Sequence, residues 1–238
     1  MEAHSASAAG SSAGLTAPAS HRGLTEAAAL NWRERASERT LRRDGRLWTL
    51  WTAGVVVTFG TPAALLVAIE PLTAPVALFC AAHAAAIMHL QARRGARAVV
   101  TIGGPGSAAL RPGADAEAER VALGLLADLL GHVERELAAA AGLALHRGRM
   151  GVWLAGEEGA LLVRPGGRRV DCWCVRVSKA GELPAGDRVA HLLLALREDE
   201  AGFATVANRN FSGSVRRVRR RLPGRSRPAL DEARRLAR

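Results

Sequence analysis

The chain has 238 residues, a formal net charge of +11 at pH 7 and a mean hydropathy of +0.05. Hydrophobic residues make up 49% of it, which excludes a chain that is disordered throughout, and three cysteines are too few for a disulfide-stabilised scaffold. Residues 113–214 are nearly neutral, with 12 basic and 14 acidic residues, so the positive excess lies elsewhere.

The N-terminal region is polar and then basic. Residues 1–25 are rich in Ala, Ser and Gly, and they lack the basic start and apolar stretch of a signal peptide. This composition predicts a disordered tail. Residues 26–46 are predicted to form a basic helix that leads into the next segment.

Two apolar segments follow, at 47–69 and 72–91. The first contains no charged residue, and the second contains only His83 and His89 as ionisable groups. About 20 apolar residues suffice for a helix to cross a bilayer. Because only Glu70-Pro71 separates the segments, they predict a transmembrane helical hairpin. A buried hairpin in a soluble protein is the alternative, but core helices of this length usually have a polar face.

The charges flanking the hairpin predict its orientation. Arginines precede the first span and follow the second, whereas the turn carries only Glu70. The positive-inside rule then places both termini in the cytoplasm and identifies inner-membrane lipid as a partner. Trp48 and Trp51 are at the position of interfacial anchors. A channel or transporter is not favoured, because neither span contains Asp, Glu, Lys or Arg.

Small residues inside the hairpin predict how it packs. Gly60-Thr61-Pro62 is expected to kink the first span. Ala77, Ala81 and Ala85 recur every four residues, a spacing that allows close packing against the first span. Self-association through the hairpin is left open.

The remaining sequence predicts a linker and a small α+β domain. Residues 92–112 are the predicted linker, with a short strand at Ala98–Ile102. Residues 115–141 are predicted to form one long helix that ends at Gly142. Its predicted buried stripe comprises Val121, Leu125, Leu129, Val133 and Leu137, widened by Leu126 and Leu130.

After Gly142 the apolar period changes to two, which predicts strands in a mostly antiparallel sheet. Pro165-Gly166-Gly167 is typical of a hairpin turn between two of them. The predicted strands are 152–154, 160–163, 170–175, 191–196 and 203–206. Cys172 and Cys174 share one face of a strand, which is weak evidence for a metal site.

One segment of this region, Gly202 to Gly213, resembles the end of the core motif of nuclease-related (NERD) domains. In that family a Gly begins an apolar strand, which ends in an acidic residue, any residue and Lys, followed by an aromatic residue, one further residue and Gly. Ala190-His191 is similar to the Asp-His that family members place before another apolar strand. Glu117, or alternatively Glu119, is similar to the acid at the start of the family's opening helix.

The resemblance implies a restriction-endonuclease-like fold over residues 113–214, in which two strand-end carboxylates hold a divalent metal and a Lys assists. The matching positions here are Ala190, Ala207 and Arg209, so both carboxylates are replaced by methyl groups. We therefore expect no metal cofactor and no nuclease activity. Mg²⁺ would be expected only with an intact site, which the acids Asp187, Glu198, Asp199 and Glu200 could rebuild only if they converge.

Residues 215–238 are predicted to be an arginine-rich C-terminal tail. Val215, Val218 and Leu222 alternate with arginines at helical spacing, which is typical of a segment on anionic lipid or on a phosphate backbone. The candidate binding residues are Arg209, Arg216, Arg217, Arg219, Arg220 and Arg221. Two functions follow: a membrane-anchored, inactive nuclease-related protein that binds nucleic acid or serves as an adaptor, or an interaction protein whose tail binds anionic lipid.

Overall fold

The computed structural model describes residues 35–100, 116–175 and 183–238. It contains two long apolar helices followed by a small α+β domain. The first helix, α1, is Glu38–Ile69 and the second, α2, is Ala74–Arg97. A 3₁₀ turn at Pro71–Thr73 joins them, so the predicted helical hairpin is confirmed.

Both helices are long and apolar enough to cross a membrane, and about a tenth of each apolar window is buried inside the protein. The helices contact each other through one seam. Val55 and Ala63 of α1 are buried, as are Ala77 and Ala84 of α2. The prediction for Ala81 and Ala85 is wrong, because both are exposed and the buried residues Ala77 and Ala84 of α2 are seven residues apart. The helix α1 also continues uninterrupted through Pro62.

The domain contains five strands and six further α-helices within the described residues. The helices are α3 Ala116–Asp128, α4 His132–Ala141, α5 Ala185–Glu198, α6 Glu200–Val206, α7 Val215–Arg219 and α8 Arg227–Leu236. The strands are β1 Ala144–Arg147, β2 Val152–Ala155, β3 Gly159–Val163, β4 Arg169–Cys174 and β5 Asn208–Ser214. They form one antiparallel sheet in the order β1-β2-β3-β4-β5.

Helices cover both faces of this sheet. On one face, α3, α5, α6 and the start of α1 pack on a cluster that includes Trp153, Leu162 and Trp173. On the other face, the end of α2 and α4, α7 and α8 pack on Leu154, Cys172 and their neighbours. The start of α1 and the end of α2 therefore pack on opposite faces of the sheet, while Trp48, further along α1, contacts the cluster on the α2 side.

Three predicted strands are confirmed in β2, β3 and β4, and so is the turn, where Gly166 and Gly167 have positive φ angles of 89° and 63°. The strands predicted at 191–196 and 203–206 are wrong, because these residues belong to α5 and α6. Val189, Leu192, Leu193 and Leu196 are buried at helical spacing. The strands β1 and β5 were not predicted.

The predicted long helix is two helices, α3 and α4, and Gly142 ends the second with a φ of 69°. Its predicted buried face is wrong at Val121, Leu125 and Val133, which are 51%, 56% and 68% exposed. The face is confirmed at Leu126 and Leu130, which are buried, and Leu129 and Leu137 are half-buried. The predicted linker starts too early, because 92–97 lies in α2 and 98–100 is a buried turn. The predicted tail 1–25 and residues 101–112 lie outside the described residues.

Residues 215–238 are not a tail. They form α7, a 3₁₀ turn and α8, and their apolar side chains pack into the core. Val215, Val218 and Leu222, the predicted lipid- or phosphate-bound face, are at most 2% exposed. These residues do have helical spacing, but the spacing places their side chains against the sheet. Their burial in the domain core is strongly favourable.

Candidate functional site at the base of the hairpin

The start of α1 is part of the domain core as well as the beginning of the apolar hairpin. Ser37 caps the helix by accepting a hydrogen bond from the backbone N–H of Thr40. One turn later, Leu41 is 1% exposed within the cluster around Trp153. Trp48 packs against Phe211 of β5, with ring centroids 5.8 Å apart. The helix that leads into the apolar span is therefore anchored on the sheet.

Five charged residues connect α1 to the sheet, and we call them the junction cluster: Asp44 of α1, Arg164 after β3, Arg169 and Asp171 of β4, and Arg209 of β5. The cluster brings three positive and two negative side chains together. Of these five residues, only Arg209 was given a role from the sequence. The sequence feature that could have indicated the cluster is Asp171, a single acid in an otherwise apolar strand.

Each arginine of the junction cluster contacts α1. Arg209 donates to Asp44 at 2.8 Å from Nη1 to Oδ2. Arg169 donates to the Gly45 carbonyl oxygen at 2.7 Å and to Thr49 Oγ1 at 2.9 Å. Arg164 donates to the Leu41 carbonyl oxygen at 3.3 Å. These contacts fix the helix relative to the sheet.

Asp171 is the buried acid of the junction cluster. It is fully buried beside Ser212 in the strand register, and its Oδ2 lies 3.9 Å from Arg164 Nε. Burial raises the pKa of Asp171, and Ser212 and the nearby Arg209 and Arg164 oppose this rise only in part. Burial likewise lowers the pKa of Arg164. The protein therefore holds a carboxylate where its ionised form is unfavourable.

We expect Asp171→Asn to stabilise the protein at pH 7. A carboxyl whose pKa is raised on folding lowers stability as the pH rises from the unfolded value of 3.8 through the folded pKa. Asn mimics the neutral form, so the melting temperature of the variant should exceed that of the wild type at pH 7. The difference should vanish near pH 4. A variant that melts below the wild type at pH 7 would show that the arginines depend on the charge.

A groove of about 420 Å³ lies beside this cluster, between α1, α6 and β5. Asp44, Trp48, Trp173, Ala207 and Arg209 contribute to its lining. The Arg209 guanidinium lies 4.5 Å from the Trp173 ring centroid, a cation–π geometry, and its side chain is 12% exposed. Arg209 is therefore engaged inside the protein and is not an open cation on the surface.

Of the other family-equivalent positions, Ala207 joins Arg209 in this groove, whereas Ala190 and Glu117 do not. Ala207 lines it as the buried residue after α6, but Ala190 lies within α5 and packs in the core. Glu117 is exposed in the first turn of α3, where Arg120 lowers its pKa. Glu119 instead accepts hydrogen bonds from the backbone of Ala185 and Gly186 at the start of α5.

The arginines after β5 differ in their surroundings. Arg219 pairs with Asp231 of α8, with 2.7 Å between Nη2 and Oδ2. Arg216 and Arg220 are exposed, and Arg217 and Arg221 are half-buried. The helix α7 that carries them packs on the end of α2, where Arg93, Arg94 and Arg97 are also exposed. The exposed arginines therefore gather near the end of the hairpin.

Two of the four acids considered for a rebuilt metal site, Asp199 and Glu200, have structural roles. Asp199 caps α6 and pairs with Arg35 at 2.6 Å. Glu200 accepts from the Arg149 and Met150 backbone N–H groups and from Trp153 Nε1 at 2.7 Å. Across the three described ranges, no group of three His, Cys, Asp or Glu residues lies close enough to hold a metal ion.

No protein-family model, curated protein or solved structure matches this chain.

Proposed function

We propose that this chain is a two-span inner-membrane protein that holds a non-catalytic α+β domain rigidly against the cytoplasmic surface of the bilayer, where it serves as an anchored adaptor. Both termini are cytoplasmic, and exposed arginines on the domain bind anionic lipid headgroups. The observation that carries the proposal is the continuity of the hairpin with the core: α1 and α2 leave the apolar region and pack on opposite faces of one sheet.

The distribution of charge supports this arrangement. The exposed arginines of α7 and of the end of α2 lie where the apolar surface of the hairpin stops. Arginines next to a bilayer are attracted to its anionic lipids, at about 1 kcal/mol each. A nucleic acid would have to compete with the bilayer for the same groups. Lipid is therefore the favoured partner, and nucleic-acid binding stays a prediction that follows from the family resemblance.

The arginine chemistry of the junction cluster supports a non-catalytic role. Its arginines remain charged at all physiological pH values, so they are poor groups for transferring protons. Each of them donates at least one hydrogen bond to Asp44 or to an oxygen of α1. The family resemblance also loses support locally, because the two strands on which its alignment depends are the helices α5 and α6.

Cysteine labelling in intact cells tests the orientation. We expect Glu70→Cys, in the turn, to react with a membrane-impermeant maleimide in spheroplasts, and Glu198→Cys, exposed on α5, to react only after lysis. The wild type is the background control for the three native cysteines: Cys172 is buried, and Cys80 in the hairpin and Cys174 in the domain are half-buried. Labelling of Glu198→Cys in intact spheroplasts, or recovery of the wild type in the soluble fraction, would overturn the proposal.

A further inference from the structure

A cleft of about 610 Å³ opens between the two helices just above the domain, and we call it the interfacial cleft. Its apolar walls are Leu47, Trp48 and Trp51 of α1 and Ile87 and Leu90 of α2. Leu47, Trp51 and Leu90 are each at least half exposed, so the cleft is open at the side. Its volume lies within the roughly 300–1,000 Å³ that is usual for ligand sites.

Polar groups are found only at the domain end of the interfacial cleft, where Gln91 and Arg94 line it. The Gln91 amide oxygen is buried and has no hydrogen-bond partner. Such an oxygen costs about 1–3 kcal/mol unless a donor reaches it. The Arg94 side chain is exposed, and in the described part of the chain its guanidinium makes no ion pair. One end of the cleft thus offers a positive charge and an unused acceptor.

The polar end of the interfacial cleft lies at the level expected for lipid headgroups. Leu47 is the first residue of the uncharged stretch in α1, and Arg94 lies one turn beyond Leu90, near the end of the apolar stretch of α2. Tryptophans at this level are typical of the boundary between acyl chains and headgroups. An apolar chain can therefore lie against the walls while its polar end reaches Arg94.

We propose that the interfacial cleft binds one phospholipid with a single net negative charge and a hydroxyl-bearing headgroup. Its phosphate pairs with Arg94, a headgroup hydroxyl donates to Gln91, and one acyl chain lies along Leu47, Trp51 and Leu90. The inference rests on the proposed membrane insertion and adds to it a single selective site. Because Trp48 also contacts Phe211, the bound lipid would touch the helix that is anchored on the sheet.

Quenching of tryptophan fluorescence by brominated lipids tests the proposal. The full chain is reconstituted in phosphatidylcholine vesicles that contain a small fraction of either brominated phosphatidylglycerol or brominated phosphatidylcholine. Of the five tryptophans, Trp48 and Trp51 line the cleft, and Trp153 and Trp173 are buried in the domain. Trp32, which lies outside the described residues, is replaced by Phe in every sample. We expect an effective affinity about tenfold higher for phosphatidylglycerol, as a charge-assisted hydrogen bond provides.

Three substitutions in α2 test the two polar contacts, and Arg93→Gln is the matched control for Arg94→Gln. Arg94→Gln should reduce the tenfold preference to about one, and Gln91→Leu should weaken it by about threefold, because each removes one polar contact. Arg93→Gln removes the same charge from a neighbouring exposed arginine that does not line the cleft, and it should leave the preference unchanged. Equal quenching by the two lipids in the wild type, or equal losses in Arg93→Gln and Arg94→Gln, would overturn the inference.

The same data separate this inference from the proposed function. If neither brominated lipid quenches, the helices are not in the bilayer and the membrane proposal itself fails. If both lipids quench equally, the hairpin is inserted and only the selective site is absent.

Discussion

Replacing Gly95 by Ala is expected to destabilise the protein by about 1–3 kcal/mol, which is the usual cost of overpacking a core. A Cβ atom at Gly95 would lie 2.6 Å from Phe211 Cβ, 2.9 Å from Phe211 Cγ and 3.0 Å from Cys172 Sγ. These neighbours are buried on β5 and β4 and are not flexible side-chain ends. The extra methyl group can be accommodated only if the end of α2 moves away from the sheet.

Urea denaturation of the full chain in detergent micelles measures this effect, with Trp153 and Trp173 reporting on the domain. The matched control is Gly54→Ala in α1, where no atom lies within 4 Å of the new Cβ. Because Ala is the better helix former, the control should be neutral or stabilised by up to about 1 kcal/mol.

A second variant keeps the result interpretable if Gly95→Ala does not fold. Adding Phe211→Ala removes Cγ, the ring atom 2.9 Å from the new methyl group, so the double variant should be more stable than the additive sum of the two single changes. Additive losses, or a Gly95→Ala protein as stable as the Gly54→Ala control, would contradict the close packing of α2 on β5.

The hairpin could be predicted from sequence because its signal is local. An uncharged stretch of 23 residues at 47–69, followed by Glu70-Pro71 and a second such stretch, has few other solutions. The strands β2 to β4 were likewise predictable, since Pro165-Gly166-Gly167 requires a turn and the flanking residues favour strands. In these cases local chemistry and tertiary structure agree.

The misassigned elements are short apolar segments that fit both helix and strand. Residues 191–196 contain four leucines and an alanine, so alternation and helical spacing are both satisfied over six residues. Extending the window back to Val189 favours the helix, whose buried positions are Val189, Leu192, Leu193 and Leu196. Over six residues the apolar period of two favoured the wrong alternative.

The junction cluster could not be predicted, because its pairs join distant parts of the chain. Asp44 and Arg209 are 165 residues apart in sequence, and Asp44 stands among arginines whose evident role is membrane orientation. Only the antiparallel order of the sheet brings Arg164, Arg169 and Arg209 beneath α1. The position of the junction cluster therefore depends on the tertiary fold and not on local sequence.

Asp44→Ala is expected to lower the free energy of unfolding by about 2–3 kcal/mol. The Arg209 side chain is 12% exposed, and Asp44 is its only acidic partner among the described residues at 2.8 Å, so the change leaves a mostly buried cation unpaired. Removing one partner of a buried pair costs about 3–5 kcal/mol, and the 30% exposure of Asp44 reduces that figure. The stacking of Arg209 on Trp173 compensates for little of it.

The control for this change is Glu38→Ala on the same helix. Glu38 pairs with Arg42 across one helical turn, and both side chains are more than half exposed. Such a pair contributes about 0.3–0.5 kcal/mol, so the two variants differ several-fold if the Asp44–Arg209 contact is a buried anchor.

A double-mutant cycle with Arg209→Met isolates the pair, since it subtracts what each single change does elsewhere. We expect a coupling free energy of about 1.5 kcal/mol or more, together with faster hydrogen exchange at residues 41–49 in Asp44→Ala alone. Exchange that stays slow there, with coupling close to zero, would mean that Leu41 and Trp48 fix α1 on the sheet without the ion pair. The domain would then remain rigidly joined to the hairpin through apolar packing.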